Sequence, residues 1–459
     1  MTQQKRSYNE SGRELPVRME VDVLVAGGGP AGIIAALAAA GDGMRVALIE
    51  SRSFLGGNMT IGLPILGFLG QKKNQIIKGL PQQFIDRLAE RDAASEHRPC
   101  PLHMSITLVE PEAVKAVALD MLAEKGVELL LYTSFAGVIM EENRMTGVII
   151  ESKSGREAIM ARTVIDCTGD ADVAFRAGVP CEQGNEQGGV QPPTLMFSMA
   201  NVDTEKLRMS IATEPRTYLT DFIPNEYFGQ NRQFIVVGLR SLIQQAREDG
   251  YDLPTDRTIV ITGLKQGEAW INMTRVTGVD GTDPASLTEG EYQARKQIEG
   301  IIRYLTHYVP GFEEAFLART APFLGIRETR RIVGHYVMTR DDILGCRRFE
   351  DGIAVASYPL DIHHPVGGDC TLEWSGDCYD IPYRSLLPQH VENLLVAGRS
   401  ISTTHEAMSA IRVMAPCMAM GEAAGRAAAM AVREGVPPSQ IDVAKLRAAL
   451  LKEGAYLNN

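Results

Sequence analysis

Gly27, Gly29, Gly32 and Glu50 are the residues whose types and spacing carry the clearest chemistry in this chain. In a G-x-G-x-x-G order the first glycine permits a tight turn. The second lets a pyrophosphate approach the backbone, and the third lets a helix lie close against a strand. A helix starting at Pro30 offers unpaired N–H groups and a positive dipole end to the phosphates. Glu50 can accept two hydrogen bonds from an adenosine ribose and disfavours a 2′-phosphate by charge. A glycine turn alone can be purely structural. This one follows an apolar strand, opens a helix and is answered by an acid at the right distance, so it reads as a dinucleotide site.

Three further segments favour FAD over NAD. In "SRSFLGGNMT", Gly56 and Gly57 could bring backbone amides to the flavin side of a long dinucleotide. "VIDCTGD" (164–170) resembles the h-h-x-A-T-G-[GD] segment of two-dinucleotide-fold flavoproteins, with Cys167 in the alanine place. "NLLVAGR" (393–399) resembles their late strand, with Arg399 where an acid is usual, which points Arg399 at a pyrophosphate or a substrate.

On these segments, and on "CTGDADVAFRAG" and "NLLVAGRSISTTHEAMSAIRVM", the chain resembles the FAD-dependent oxidoreductases of the glutathione-reductase-like superfamily. Within them it is most similar to a bacterial branch of mostly unassigned substrate. The likeness covers roughly residues 20–195 and 320–435. It implies a doubly wound FAD domain with a smaller domain capping the substrate. The expected FAD contacts are Gly27, Gly29, Pro30, Ala31, Gly32, Glu50, Ser51, Arg52, Gly57, Asn58, Met59 and Thr60 from the first half. Ala136, Thr168, Gly169, Asp170, Gly398, Arg399, Arg412 and Val413 complete the set. Succinate dehydrogenase relatives carry a histidine for covalent flavin after the first motif. "GGNMTIGLP" has none, so non-covalent FAD is expected. There is no second G-x-G-x-x-G for NAD(P)H, and no W-x-W-x-I-P stretch of the flavin halogenases.

A flavin performs the redox step, and the protein must orient a C–H bond and handle a proton. His405 is a candidate acid/base or substrate-binding group, since related fumarate reductases have a histidine at a comparable place. The competing reading is a histidine hydrogen-bonded at a helix start. Arg412 could reach the flavin pyrimidine or the pyrophosphate. Arg327, Arg330 and Arg331 flank Glu328; Arg327 and Arg331 share a face in either helix or strand, as an anion clamp or as an ion-pair network. Asp361, His363 and His364 could supply an acid/base pair. Adjacent histidines diverge and no H-x-x-x-H partner exists, so no metal is expected. Cys370 and Cys378 read as loop thiols. The catalytic residues expected are thus His405, His363 and Arg327.

The elements that must position these groups form an α/β chain. A Rossmann-like FAD-binding domain is expected over 19–195, an inserted α+β substrate or capping domain over 196–350, and completion of the first domain over 351–459. Residues 1–18 read as a flexible leader without a secretory core. "EVDVLVAG" and "MRVALIE" are strands around an Ala-rich helix. Residues 52–105 read as loops and one helix, 135–165 as a β-meander, and "TEGEYQARKQIEGIIRYLTHYVPG" as a long helix.

The 459 residues carry a net charge of −11, which disfavours nucleic acid and anionic membranes. No window reaches about 18 charge-free apolar residues, so no membrane span is expected. Seven cysteines without a C-x-x-C pair fit a reducing cytoplasm. The function expected is hydride transfer between FAD and a small polar molecule: a hydroxy acid, an unsaturated acid or a sugar-like polyol. The alternatives are a flavin-bearing electron-transfer subunit, or a flavin monooxygenase with a separate reductant. The partners expected are that substrate and an electron acceptor or donor, both unnamed, with a homodimer as the assembly considered.

Overall fold

Val17–Ala26 is a ten-residue strand whose last four residues, Val23 to Ala26, are fully buried. No polar residue alternates there because the strand is central and covered on both faces. The computed structural model describes residues 12, 14–368 and 370–458. Most of the leader expected over 1–18 falls outside them, and Val17 already belongs to the first strand.

That strand pairs in parallel with Val46–Ile49 on one side and Gly155–Asp166 on the other. Glu128–Leu130 extends the sheet beyond Val46–Ile49, and Leu394–Val396 pairs in parallel with the end of Gly155–Asp166. The meander is present as the antiparallel strands Ser134–Glu141, Arg144–Ser152 and Gly155–Asp166. Register puts Ala26 level with Ile49 and Asp166, and Asp166 level with Val396. Four parallel strands therefore stop on one line, so the chain leaves the sheet together at Gly27, Glu50, Cys167 and Ala397. In open α/β sheets ligands bind outside such carboxyl ends.

The helix Pro30–Gly41 packs on Met414–Glu434, drawn from the far end of the chain. Small residues make this approach close. A Cβ built at Gly421 would lie 2.2 Å from the Ala31 carbonyl oxygen, and one at Gly425 2.3 Å from that of Ala35. Gly421→Ala is accordingly expected to lower the unfolding free energy by about 1–3 kcal/mol, the usual cost of overpacking. Urea denaturation of the FAD-free protein would measure it.

A second, antiparallel sheet runs in the order Ile235–Gly238, Thr258–Thr262, Ala269–Ile271, Phe197–Ala200, Phe316–Thr320. The long helix Pro284–Tyr308 belongs with it, capped by Asp283, whose side chain accepts from the Ser286 amide. The apolar cluster around this sheet differs from the expected 196–350. It recruits Ile61, Leu66, Cys100, Leu102, Ile106 and Leu108 from in and around a three-stranded sheet inside the first segment. Ile332, Met338 and Ile343 leave it for the first cluster, because Arg330–Ile332 pairs with Cys181–Gln183.

Candidate active site

A cavity of about 560 Å³ opens where the four parallel strands stop and runs to the antiparallel sheet. The three glycines of the first turn have different tasks. Gly27 takes φ +102°, and a Cβ on it would stand 2.5 Å from the Cys167 carbonyl oxygen. At Gly32 a Cβ would stand 1.8 Å from the Gly27 carbonyl oxygen, so Gly32 serves packing and does not line the cavity. Gly29 is ordinary extended backbone (φ −80°, ψ −170°), with nothing within 4 Å of its missing Cβ. Its glycine character keeps one cavity wall bare at a helix N-terminus that has no side-chain cap. Gly57 closes the other side, its missing Cβ 3.0 Å from the Gly29 Cα.

Glu50 is held rigidly at the strand end. Its Oε2 accepts from the Gly28 amide at 2.8 Å, and its Oε1 accepts from the Arg52 amide at 2.9 Å and the Ser51 hydroxyl at 3.2 Å. The Arg52 guanidinium lies 3.7 Å from the centre of the Phe323 ring. A bare glycine wall, uncapped helix amides and a fixed carboxylate on one cavity fit the phosphates and ribose of FAD.

The "CTGD" turn is shaped by Asp166, a residue that no sequence motif singles out. Its Oδ1 accepts from the Thr168 amide at 3.0 Å and hydroxyl at 2.7 Å, and its Oδ2 from the amides of Val173 and Ala174, both at 3.0 Å. Burial pushes its carboxyl up to about 6, against these donors. Asp170 then faces the cavity and accepts from Arg399 at 2.6 Å and Thr329 at 2.8 Å. Arg399 is thus paired with an acid, and its Nε keeps no partner.

Pro30, Ala31, Ser51, Asn58, Thr168, Gly169, Gly398, Arg412 and Val413 also line the cavity. Met59, Thr60 and Ala136 do not. Met59 and Thr60 are buried under the turn, where the Thr60 hydroxyl donates to the Gly57 carbonyl at 2.7 Å. Ala136 offers its carbonyl to Arg176, and its neighbour Phe135 takes the wall position.

At the far end the strand Leu360–His363 brings Asp361 and His363 to the cavity, opposite Arg327 and Arg412. His363 Nε2 is 3.4 Å from Asp361 Oδ1, and the buried Tyr358 hydroxyl donates to Asp361 Oδ2 at 3.3 Å. Arg412 Nη2 donates to the Asp361 main-chain oxygen at 3.0 Å. Burial would raise the Asp361 carboxyl, but His363, Arg412 and Arg327 hold it well below the usual range. Burial, then Arg327, push His363 down to about 4. Burial, with Arg412 beside it, brings Arg327 down to about 9. The result is an imidazole that stays unprotonated at neutral pH beside a carboxylate, able to accept a proton as a weak base. His103 also lines this end, its ring 6.3 Å from that of Tyr358 and its pKa lowered by burial to about 4. Nothing in "RPCPLHMS" marks it.

His405 is not among the residues lining the cavity. Its Nδ1 is 2.9 Å from Glu328 Oε1, which also accepts from Arg331; Glu328 Oε2 accepts from the Gln191 amide at 3.0 Å. Arg331 further donates to the carbonyls of Thr403 and Gly184, both at 3.1 Å. Burying Glu328 and Arg331 requires this full set of partners, and His405, first residue of the helix His405–Ile411, is one of them. Arg331 is thereby separated from Arg327, with which it was expected to share a face. Arg330 pairs with Asp172 at 2.9 Å. His364 turns to the Thr371 hydroxyl at 2.9 Å. Cys370 opens a strand, not a loop, and lines the cavity 3.3 Å from Arg257 Nη1.

With that placement, His405→Ala should retain FAD and lose about 1.5–3 kcal/mol of stability, as for a hydrogen bond to a buried charge. A protein that keeps its wild-type midpoint in urea would contradict the network.

A family model described as FAD dependent oxidoreductase matches residues 22–450. The thiamine thiazole synthase of Desulfosudis oleivorans is 24% identical over 238 residues, 49% of this chain and 86% of that protein. That of Aeropyrum pernix is 32% identical over 136 residues, 30% of this chain and 46% of that one. Among solved structures, a geranylgeranyl bacteriochlorophyll reductase-like protein from Thermoplasma acidophilum matches at 14% identity with a TM-score of 0.45. That match covers 95% of this chain and 85% of the other. No helix among the described residues is long and apolar enough to cross a membrane.

Proposed function

The chain belongs to the FAD-dependent oxidoreductase family, an enzyme with FAD as its cofactor, and from there we propose that it oxidises or reduces a small polar organic molecule at the Asp361–His363 end of the cavity. FAD, when bound, supplies the acceptor or donor of a hydride. Non-covalent attachment is part of the proposal. The observation that carries it is a histidine 3.4 Å from a carboxylate, both lining the one cavity that begins at Gly29 and Glu50.

In this reading Asp361 orients His363 and favours a proton on the nitrogen facing it. The other nitrogen is left to take a hydroxyl proton as the adjacent C–H bond breaks, or to return one in the reverse direction. Tyr358 and Arg412 hold Asp361 in turn. Similarity to the thiamine thiazole synthases supports a branch nearer to them than to the glutathione-reductase-like proteins. Seven free thiols support a reducing, cytoplasmic setting.

The test is anaerobic addition of hydroxy acids, unsaturated acids and polyols to the flavoprotein. In the oxidising direction one class should bleach the oxidised flavin; in the reverse, an unsaturated acid should recolour the dithionite-reduced protein. If no class changes either form, the proposal fails. Because His363 is shifted downward to about 4, its base form persists on acidification. At sub-saturating substrate, where the groups of the free protein set the profile, the rate should stay level from pH 8 to about 5 and fall only as pH approaches 4. Stopped-flow bleaching rates against pH would record this.

A further inference from the structure

Two guanidinium groups share one carboxylate at the far end of the cavity. The Arg412 side chain is only 9% exposed, and its Nη1 is buried with no hydrogen-bond partner. Its Nη2 bonds the Asp361 main-chain oxygen and stands 3.9 Å from Oδ2. Arg327 donates to the Pro192 carbonyl, a neutral acceptor. The Asp361 carboxylate is divided between these cations, Tyr358 and His363. Glu328, the other acid acting on Arg412, is already bonded to Arg331 and His405. Buried cations in excess of their counter-charge are costly, and a buried Nη1 without an acceptor adds to that cost. The end of the cavity is completed by one more anionic group with planar acceptors, which is what a carboxylate offers a guanidinium.

The wall contributed by the antiparallel sheet has the opposite character. Ile235 and Val237 of one strand, and Ile259 and Ile261 of the next, line the cavity at every second position. Register sets Ile235 opposite Ile261 and Val237 opposite Ile259, so the four side chains form one continuous apolar floor. Leu372 adds to it from a different sheet.

We propose that this cavity end is a binding site for a monocarboxylate with a hydrocarbon body, its carboxylate between Arg327 and Arg412 and its body on the Ile235–Val237–Ile259–Ile261 floor. The inference rests on the reading that the redox substrate occupies this end, and it narrows that substrate to an amphiphilic acid. A carboxylate here also offsets the Arg327 and Arg412 charges that depress His363, so its arrival makes the imidazole a stronger base.

Calorimetric titration of the FAD-loaded protein with butyrate, hexanoate, octanoate and octanamide tests the site without turnover. Affinity should rise about threefold to fourfold per methylene, and octanamide should bind at least about tenfold more weakly than octanoate. Arg412→Met should abolish the preference for acid over amide. Equal binding of octanamide and octanoate, affinity that does not grow with chain length, or no octanoate binding would each overturn the proposal. Failure of the underlying reading is distinguishable. A protein that binds octanoate but whose flavin changes redox state with no substrate class keeps the site and loses the redox role. One bleached by a polyol while ignoring octanoate does the reverse.

Discussion

Gly29→Val is expected to strip the protein of FAD while leaving its fold unchanged. The position is already in the extended region that valine prefers, and nothing lies within 4 Å of the new Cβ. The FAD-free variant should therefore unfold within about 0.5 kcal/mol of wild type, as surface substitutions do. The added methyls would fill the approach to the uncapped amides of the helix Pro30–Gly41. Losing two charge-assisted bonds to a pyrophosphate, at about 1.5–3 kcal/mol each, weakens FAD binding by at least about 100-fold. Gly32→Val should behave differently, because its Cβ begins 1.8 Å from the Gly27 carbonyl oxygen and must displace the backbone. Both variants are to be compared without FAD, since the cofactor raises apparent stability by mass action.

The second large effect belongs to His363. His363→Ala should keep FAD and reduce the flavin about 10²–10⁴-fold more slowly, the range of a positioned general base. Its residual rate should lose the acid limb near pH 4, since the group that titrates there is gone. A slowing of less than tenfold, or an unchanged limb, would remove His363 from the chemistry. The variant also separates His363 from His405. The two are linked indirectly, through Gln191, whose side-chain oxygen accepts from the His363 amide at 3.0 Å and whose own amide donates to Glu328.

The parts of the site legible in the sequence are those whose partners are close in the chain. Gly27, Gly29, Gly32 and Glu50 lie on one strand–turn–helix–strand unit, so spacing alone locates the dinucleotide cleft. The "VIDCTGD" segment is recognisable, yet the part played by Asp166 is not, because it depends on amides up to eight residues downstream meeting one buried carboxylate. His405 attracts attention as a polar residue after the late strand. What decides its role is Glu328, 77 residues away, whose burial no local pattern announces. The grouping of Asp361 with Tyr358 and Arg412 arises only when Arg412, 51 residues on, folds back over the strand. The apolar residues between Ile61 and Leu108 sit among glycines and prolines that read as loop, and their membership of the second cluster is a tertiary fact.

The central claim is that one cavity has two ends, a cofactor end at Gly29 and a chemical end at His363. Equilibrium titration of FAD into the FAD-free forms of wild type, Gly29→Val and His363→Ala tests this division directly. The dissociation constant should rise at least about 100-fold for Gly29→Val and stay within about threefold for His363→Ala. Wild-type affinity in Gly29→Val, or an equal loss in both variants, would contradict it.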